Sequence, residues 1–417
     1  MKIETPTWVK HAVFYQIFPD RFVISQEPRK RLLKNPTWED WSAPPTQQGY
    51  KGGDLWGVID KLDYLQELGI NAIYFTPIFQ STSNHRYHTH DYYQVDPLLG
   101  GNEAFAQLLE QAHQRDIKVV LDGVFNHASR GFFFFSDILE NGPNSPWLDW
   151  FKIHDWPLSA YDGDRPANYE GWADNRALPV FNHDNPDVKE YIMEIAEHWI
   201  KMGVDGWRLD VPFEIKTEGF WQEFRDRVKA INPEAYIVGE VWTDARQWLD
   251  GTQFDGVMNY LFTGPTIAFA AGDRVVMDYV QSPSYEPYPP LSAPAYAAKI
   301  QAVLDLYPWE IQLTQLNLLA SHDTARLMSI AQSDRASVEL STLLLLTFPG
   351  AASIYYGDEV GLAGAIDPDS RVGLGLGTFE LSSATHRPAS CSPSSTNRYL
   401  SIDLCRGECL CFRSDSG

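Results

Sequence analysis

Short apolar runs alternate with amphipathic segments along most of the chain. The runs predict strands that are buried on both faces. They are Ala12–Phe18, Ala72–Pro77, Val119–Phe125, Gly206–Asp210, Tyr236–Trp242, Gly256–Leu261, Gln315–Ser321 and Ser353–Tyr356. Apolar residues recur at helical spacing in Leu55–Leu68, Glu103–Arg115, Val188–Met202, Phe220–Ile231 and Ser333–Phe348. This alternation predicts an α/β fold with a parallel sheet.

The number of strands favours a (β/α)8 TIM barrel. An open doubly wound sheet is the alternative, but no glycine-rich phosphate turn follows the first strand. Asn102 and Asn185 are predicted helix N-caps, with Pro186 in a first turn. The stretch 126–185 is too long for a simple loop and predicts an inserted subdomain after strand three. The stretch Pro265–Pro294 is predicted to be irregular.

The catalytic barrel is predicted to occupy residues 1–371, and residues 372–417 differ in kind. They are rich in Ser, Gly and Arg, keep no helical period, and contain all four cysteines: Cys391, Cys405, Cys409 and Cys411. We interpret them as an irregular tail produced by a reading-frame shift, and a genuine cysteine-bearing extension is the alternative. The last barrel helix, expected in this place, is then missing or replaced.

Three acids stand at the ends of predicted strands. Asp210 and Glu240 close two apolar runs, and Asp323 follows a third. A parallel barrel brings the carboxyl ends of its strands to one rim, so we expect these three side chains to share a pocket. Strand alternation places Arg208 on the same side as Asp210.

The chemistry of glycoside cleavage assigns a role to each acid. Two carboxylates about 5–5.5 Å apart, as in retaining glycosidases, repel by roughly 3 kcal/mol, so one of them holds a proton near neutral pH. Arg208 should keep Asp210 ionised as the nucleophile, while burial and Asp210 raise the pKa of Glu240, the proton donor. Asp323 is expected to bind and distort the sugar ring.

The charge balance limits the partners. The net charge is −22, from 33 basic and 55 acidic residues, which disfavours nucleic acid and anionic membranes. Aromatic residues make up 13% of the chain and suit a sugar-binding protein, although most rings are expected to be core. Met1–Lys10 lacks a signal-peptide pattern and no long apolar stretch is present, so we expect a cytoplasmic protein.

Several motifs resemble family 13 of the glycoside hydrolases, the α-amylase family, and within it the neopullulanase, cyclomaltodextrinase and maltogenic amylase group. The resemblance runs from about Trp8 to Arg371. Its motifs are Asp122-Gly-Val-Phe-Asn-His127, Leu178-Pro-Val-Phe-Asn182, Gly206-Trp-Arg-Leu-Asp-Val-Pro-Phe-Glu214, Gly239-Glu-Val-Trp242, Ser321-His-Asp-Thr324 and Gly357-Asp-Glu-Val-Gly-Leu362.

The resemblance implies a nucleophile at Asp210, a general acid/base at Glu240 and a transition-state stabiliser at Asp323. It places six further residues at the cleavage subsite: His85, Tyr87, Asp122, His127, Arg208 and His322. Glu214 resembles an acceptor-site acid, with a helix N-terminal acid as the alternative. Four aromatic residues are candidate sugar platforms or core residues: Trp56, Trp172, Trp242 and Tyr260.

The segment Asn84–Tyr92 holds three histidines and an aspartate, which suggests a divalent-metal site. Its spacing matches no familiar metal motif, so the subsite interpretation is favoured and no metal is predicted. His88 departs from the family, where an acidic residue is usual. No cofactor is required, and calcium is not predicted.

The sequence therefore predicts a retaining α-glucan hydrolase that acts on malto-oligosaccharides, cyclodextrins, pullulan or starch through a covalent intermediate. Cleavage of α-1,4 bonds is the first interpretation, with α-1,6 debranching or transglycosylation as alternatives. A non-catalytic glycan-binding homologue is disfavoured because all three acids are retained. The oligomeric state is left open.

Overall fold

The computed structural model describes residues 3–25, 38–281 and 289–374. Its strands are β1 (Val13–Ile17), β2 (Ala72–Phe75), β3 (Phe79–Ser81), β4 (Thr89–Val95), β5 (Lys118–Gly123), β6 (Gly206–Leu209), β7 (Tyr236–Gly239), β8 (Gly256–Val257), β9 (Leu316–Leu318) and β10 (Ala351–Tyr355). Its α-helices are α1 (Pro19–Phe22), α2 (Leu55–Ile59), α3 (Leu62–Glu67), α4 (Gly101–His113), α5 (Phe133–Asn141), α6 (Pro186–Lys201), α7 (Phe220–Ile231), α8 (Tyr260–Ala271), α9 (Ala293–Leu304), α10 (Trp309–Gln312), α11 (Leu327–Ile330) and α12 (Arg335–Thr347).

Eight strands form one parallel sheet in the order β8-β7-β6-β5-β2-β1-β10-β9. A parallel bridge between Met258 and Leu316 joins the two edges, and the Asn259 N–H donates to the Leu316 carbonyl at 2.8 Å. The predicted (β/α)8 barrel is therefore confirmed. The two remaining strands, β3 and β4, form an antiparallel hairpin above it.

Strand alternation divides the core into a lumen and an outer layer. Along β6, Trp207 and Leu209 pack in the cluster between strands and helices, while Arg208 is fully buried on the opposite side. The lumen is closed below by large apolar side chains: Phe14, Val120, Tyr236, Val238, Leu316 and Leu318. The polar side chains of the pocket therefore lie at the carboxyl ends of the strands.

The helix predicted at Leu55–Leu68 is divided into α2 and α3, because Lys61 leaves helical geometry at φ −112° and ψ 6°. The predicted cap Asn185 accepts from the Asp187 N–H at the start of α6. The predicted cap Asn102 is wrong. It lies inside α4, and its carboxamide instead binds the Val95 N–H, so it ties the hairpin to the helix.

The irregular stretch predicted from Pro265 is wrong at both ends, since α8 continues through Pro265 to Ala271 and α9 begins at Ala293. The strand predicted at Gly256–Leu261 already ends at Val257, because α8 begins at Tyr260. Most of α8 is buried, so packing outweighs the helix-breaking tendency of proline. Within α8, the Thr266 hydroxyl donates to the Phe262 carbonyl at 2.7 Å.

The stretch 126–185 lies between β5 and α6 and contains α5 with several antiparallel bridges. A bridge pairs His127 with Val180, so this stretch returns to the end of β5. A dense aromatic cluster holds it together, with Phe134 stacked on Trp147 at 3.7 Å between ring centroids. It therefore stands directly over the rim of the barrel.

Within residues 351–374, no α-helix follows β10. The predicted irregular tail and its reading-frame shift lie outside the described residues from position 375 onward. In the part of the chain that the structure describes, no helix has the length and apolar character needed to span a membrane.

Candidate active site

One buried guanidinium, that of Arg208, lies among three carboxyl groups at the carboxyl end of the barrel. Its Nη1 atom donates to Asp122 Oδ1 and Asp210 Oδ1, each at 2.9 Å. Its Nη2 atom lies 2.9 Å from Glu240 Oε2. Adjacent strands place these groups, because β5, β6 and β7 pair in parallel register. The sheet thus gathers residues that are far apart in sequence.

Glu240 is the buried carboxyl best suited to hold a proton. Its side chain is 4% exposed, and burial raises its pKa to about 7 against the opposing effect of Arg208, with a smaller upward contribution from Asp323. The Val211 N–H donates to Oε2 at 3.0 Å, and the Trp242 indole N–H donates to Oε1 at 3.2 Å. A pKa near neutrality is what proton transfer in both directions requires.

Asp210 follows β6 directly and is 8% exposed. Burial raises its pKa, Glu240 and Asp122 add to the rise, and Arg208 opposes it. Because repulsion between Asp210 and Glu240 is reciprocal, the two carboxyls titrate together. Arg208 is shared with Asp122 and Glu240, so the expectation that it keeps Asp210 ionised stays a prediction.

The backbone after Asp210 is strained. Val211 has φ 36° and ψ 51°, a left-handed conformation that β-branched residues rarely adopt. This turn directs the Val211 N–H at Glu240. Strain of this kind is held in place by surrounding structure and is common at functional sites.

Asp323 lies in the same cluster and is 28% exposed. Its Oδ2 is 3.1 Å from His322 Nε2, and its Oδ1 is 3.5 Å from Arg371 Nη2. Burial holds the pKa of His322 well below its usual range, with Arg371 and Arg208 contributing, so the ring is neutral. Gln16 Nε2 lies 2.8 Å from Nδ1, an arrangement that leaves the ring proton on Nε2, which faces the Tyr87 hydroxyl at 2.6 Å as well as Asp323.

Tyr87 and Asp122 close the floor of the pocket. The Tyr87 hydroxyl donates to Asp122 Oδ2 at 2.9 Å, and a Tyr74 hydroxyl reaches the same oxygen at 2.9 Å. The Tyr87 ring stacks on His322 at 5.4 Å and 9°. His85 lies beside Tyr87, with 5.8 Å between the ring centroids.

His127 has a buried ring nitrogen without a hydrogen-bond partner. Its Nδ1 is 3.3 Å from Asn126 Nδ2, while its Nε2 is buried and has no hydrogen-bond partner. Burial lowers its pKa to about 3, so the ring is neutral. Trp172 stacks on this ring at 5.3 Å and 22°. A buried and unsatisfied nitrogen of this kind suits a sugar hydroxyl.

Glu214 lies apart from the buried cluster. It is exposed and lines a cavity of about 650 Å³ together with Trp172, Lys216 and Asp184. The alternative that it is a helix N-terminal acid stays a prediction. Glu214 lies in a single 3-10 turn, Pro212–Glu214, and α7 begins only at Phe220.

The structure thus brings together Asp122, Arg208, Asp210, Glu240, His322, Asp323 and Tyr87, with His85, His127 and Trp242 beside them. Of the other proposed platforms, Tyr260 is core, with its hydroxyl 3.2 Å from Ser321 Oγ. The sequence analysis missed Gln16, Tyr74 and Arg371. Gln16 and Tyr74 could have been found, because each is the polar residue at a lumen-facing position of its strand. Arg371 follows the last strand and carries no such signal.

Among the described residues, no group of three or more His, Cys, Asp or Glu side chains has the geometry to hold a metal ion. The histidines of Asn84–Tyr92 are spread along the hairpin. His85 and His88 contact each other edge to face at 5.1 Å, and His90 lies 3.3 Å from Thr82 Oγ1.

A family model described as the catalytic domain of alpha amylase matches residues 16–391. The chain belongs to the α-amylase family of glycoside hydrolases. Neopullulanase 2 of Thermoactinomyces vulgaris is 44% identical over 373 residues, which are 88% of this chain and 59% of that protein. A cyclomaltodextrinase from Bacillus sp. is 44% identical over 372 residues, covering 88% of this chain and 62% of that relative.

Solved structures of the α-amylase family agree with this fold. The native form of the debranching enzyme from Nostoc punctiforme is 80% identical, with a TM-score of 0.85 over 90% of this chain and 77% of that chain. A cyclic alpha-maltosyl-(1→6)-maltose hydrolase from Arthrobacter globiformis is 37% identical, with a TM-score of 0.81 over 90% of this chain and 79% of that chain. The chain spans about three fifths of the length of the curated relatives it matches.

Proposed function

We propose that this protein is a retaining α-glucan hydrolase with Asp210 as nucleophile and Glu240 as general acid/base. The observation that carries the proposal is the bridging of Asp210 and Glu240 by the single guanidinium of Arg208. Carboxyls held by one guanidinium suit attack and protonation on one glycosidic bond, and the retaining course proposed here leaves no water between them. The names of the family relatives support an α-glucan as substrate.

In the first step, the Glu240 carboxylic acid gives its proton to the glycosidic oxygen as the bond from that oxygen to C1 breaks. The Asp210 carboxylate forms an ester bond with C1. In the second step, the Glu240 carboxylate takes a proton from water, and the water oxygen replaces Asp210 at C1. Both carboxyls return to their starting states, so the cycle needs no other reactant.

The other residues act on the sugar between these carboxyls. Asp323 is proposed to hold two hydroxyls and to favour the flattened ring of the transition state. His127 Nε2 and His322 Nε2 are proposed hydrogen-bond donors to the same sugar, since both rings are neutral and each Nδ1 faces a carboxamide nitrogen. Tyr87 is the proposed stacking platform, with His85 and Asp122 holding hydroxyls at its edge and Glu214 and Trp242 on the acceptor side.

Two variants test the proposal on maltodextrin and on an α-maltosyl fluoride, whose leaving group needs little protonation. Asp210→Asn should lose at least about 10⁴-fold in kcat on both substrates while still binding oligosaccharide. Glu240→Gln should lose far more activity on maltodextrin than on the fluoride. Full turnover in Asp210→Asn, or equal losses on both substrates in Glu240→Gln, would overturn the assignment.

The bond specificity has a second candidate. The 80% identity to a protein named as a debranching enzyme favours α-1,6 cleavage alongside or instead of α-1,4 cleavage. Product analysis on amylose, β-cyclodextrin and a branched maltodextrin separates the two. Release of linear chains from the branched substrate, with amylose left intact, identifies debranching. Shortening of amylose identifies α-1,4 hydrolysis.

The cellular setting is also a proposal. An intracellular maltogenic amylase from Bacillus subtilis is 38% identical over 88% of this chain, which supports a cytoplasmic role. No step of the proposed cycle calls for a metal ion or another cofactor.

A further inference from the structure

Arg86, the residue between His85 and Tyr87, forms a buried ion pair with Asp96 behind the cleavage pocket. Arg86 is 1% exposed and Asp96 is 2% exposed. Arg86 Nε donates to Asp96 Oδ2 at 2.9 Å. Neither residue contacts the carboxyls of the pocket through any hydrogen bond or ion pair that the structure shows. Burying a charge pair is costly, so its place here needs a reason.

The backbone at this point is in a left-handed conformation. Arg86 has φ 61°, which non-glycine residues adopt at a cost. The turn sends the Arg86 side chain beneath the hairpin, while the neighbouring Tyr87 ring lies on His322 in the pocket. The Tyr87 N–H donates to His85 Nδ1 at 3.2 Å, so the two pocket residues move with this turn.

Both ends of the ion pair are hydrogen-bonded to neighbouring segments of the chain. The Asp96 N–H donates to the Ile78 carbonyl at 2.8 Å, and its Oδ1 accepts from the Leu98 N–H at 2.8 Å. Arg86 Nη1 donates to the Asn84 carbonyl, and the Asn84 carboxamide donates to the Gly49 carbonyl at 2.7 Å. Through Arg86, the loop that carries Tyr87 is thereby connected to Asp96 at the end of β4.

We propose that Arg86 and Asp96 are positioning residues that hold Tyr87 against His322 and Asp122, and so set the rate of glucan cleavage. This inference rests on the proposed function. Without the ion pair, the strained turn can relax, and the Tyr87 hydroxyl leaves Asp122 Oδ2 and His322 Nε2, now at 2.9 and 2.6 Å. A displacement of about 1 Å at a positioned group can cost about 10²-fold in rate.

A double-mutant cycle tests this. Arg86→Gln alone should lower kcat on maltodextrin at least tenfold with KM changed less than threefold. On a Tyr87→Ala background, the same substitution should change kcat less than twofold, because its target has been removed. Arg86→Lys keeps the charge without the Nε geometry and should give an intermediate kcat.

A matched control separates positioning from loss of stability. Arg225, whose side chain is 11% exposed, forms an ion pair with the buried Asp255 at 2.7 Å at the opposite end of the barrel. Arg225→Gln should lower the melting temperature but leave kcat within twofold of the parent. If Arg86→Gln is insoluble, the same double-mutant cycle is measured with Asp96→Asn, which keeps the side-chain shape, and with Arg86→Lys.

Three results would overturn the inference. They are a wild-type kcat in Arg86→Gln, an equal fold-loss with and without the Tyr87 side chain, or an equal loss in Arg225→Gln. Hydrolysis of maltodextrin by the parent protein is measured first. If the parent protein does not hydrolyse maltodextrin, the proposed function is contradicted. The three results above, by contrast, contradict only the positioning role of Arg86.

Discussion

At the scale of single residues, burial and neighbours give carboxyl groups of one barrel opposite properties. Asp205 lies at the amino end of the barrel. Burial alone would raise its pKa, but hydrogen bonds from His113, Val119 and Lys118 outweigh burial and lower the pKa. Glu240, at the carboxyl end, shares one guanidinium with two other acids, and its pKa is raised to about 7. The first is a structural anion and the second is the proposed proton donor.

The pKa of Glu240 predicts how cleavage depends on pH. Its folded value lies above the usual one, so the proton is present below pH 7 and is lost as the pH rises through about 7. The value of kcat/KM on maltodextrin should therefore fall above pH 7, and the fall should approach about tenfold per pH unit. Formation of the covalent intermediate from α-maltosyl fluoride should not fall over the same range.

Steady-state kinetics on maltodextrin and single-turnover kinetics on the fluoride, both from pH 5 to 9, provide the measurement. A fall on both substrates with the same midpoint would mean that Glu240 is not the group that titrates.

The sequence predicts the three acids and Arg208 well, because each stands at the end of an apolar strand and alternation assigns its face. It does not predict how charge is shared among them, since Arg208 contacts three carboxyls at distances that only the barrel's register determines. The left-handed geometry of Val211 and Arg86 was also out of reach, because neither is a residue type that favours it.

At the scale of elements, caps and packing decide where helices begin and end. The two asparagines proposed as caps differ in role, since Asn185 caps α6 whereas Asn102 holds the hairpin strand β4. Local pattern cannot separate these roles, because each residue stands near the start of an amphipathic run. The helix α8, with proline inside it, was missed for a related reason: its burial comes from tertiary contacts.

The cap at Asn185 has a measurable effect on stability. Its side chain accepts from the Asp187 N–H at 2.9 Å and donates to the Asp149 carbonyl at 3.1 Å. Asn185→Ala should lower the free energy of unfolding by about 1–2 kcal/mol in urea titrations, with kcat unchanged. Asn185→Ser keeps a cap acceptor and should lose less. Equal losses in both variants would show that the cap contributes nothing.

At the scale of the whole molecule, one side of the barrel is only thinly covered by the residues that the structure describes. An apolar groove runs between α12 and β10, lined by Leu68, Leu346, Ile354 and Leu362, and no α-helix follows β10 within residues 351–374. In a (β/α)8 barrel a helix after the eighth strand would cover this side. Apolar surface left open to water favours association.

This groove predicts dye binding that one substitution removes. The full chain should bind 1-anilinonaphthalene-8-sulfonate in its native state, and Leu346→Gln should weaken that binding while leaving kcat within twofold. Leu340→Gln serves as the control, because Leu340 lies on the same helix, is 37% exposed and does not line the groove. Equal fluorescence from both variants would place the dye elsewhere.

The shared guanidinium of Arg208 has a consequence for what the pocket retains. Four acids, Asp122, Asp210, Glu240 and Asp323, share only two guanidinium groups, those of Arg208 and Arg371. An intact glucan is uncharged and gains little from this imbalance, whereas the ring that forms as the bond breaks is electron-poor. Ring mimics that carry a basic nitrogen should therefore be held more tightly than neutral sugars of the same shape.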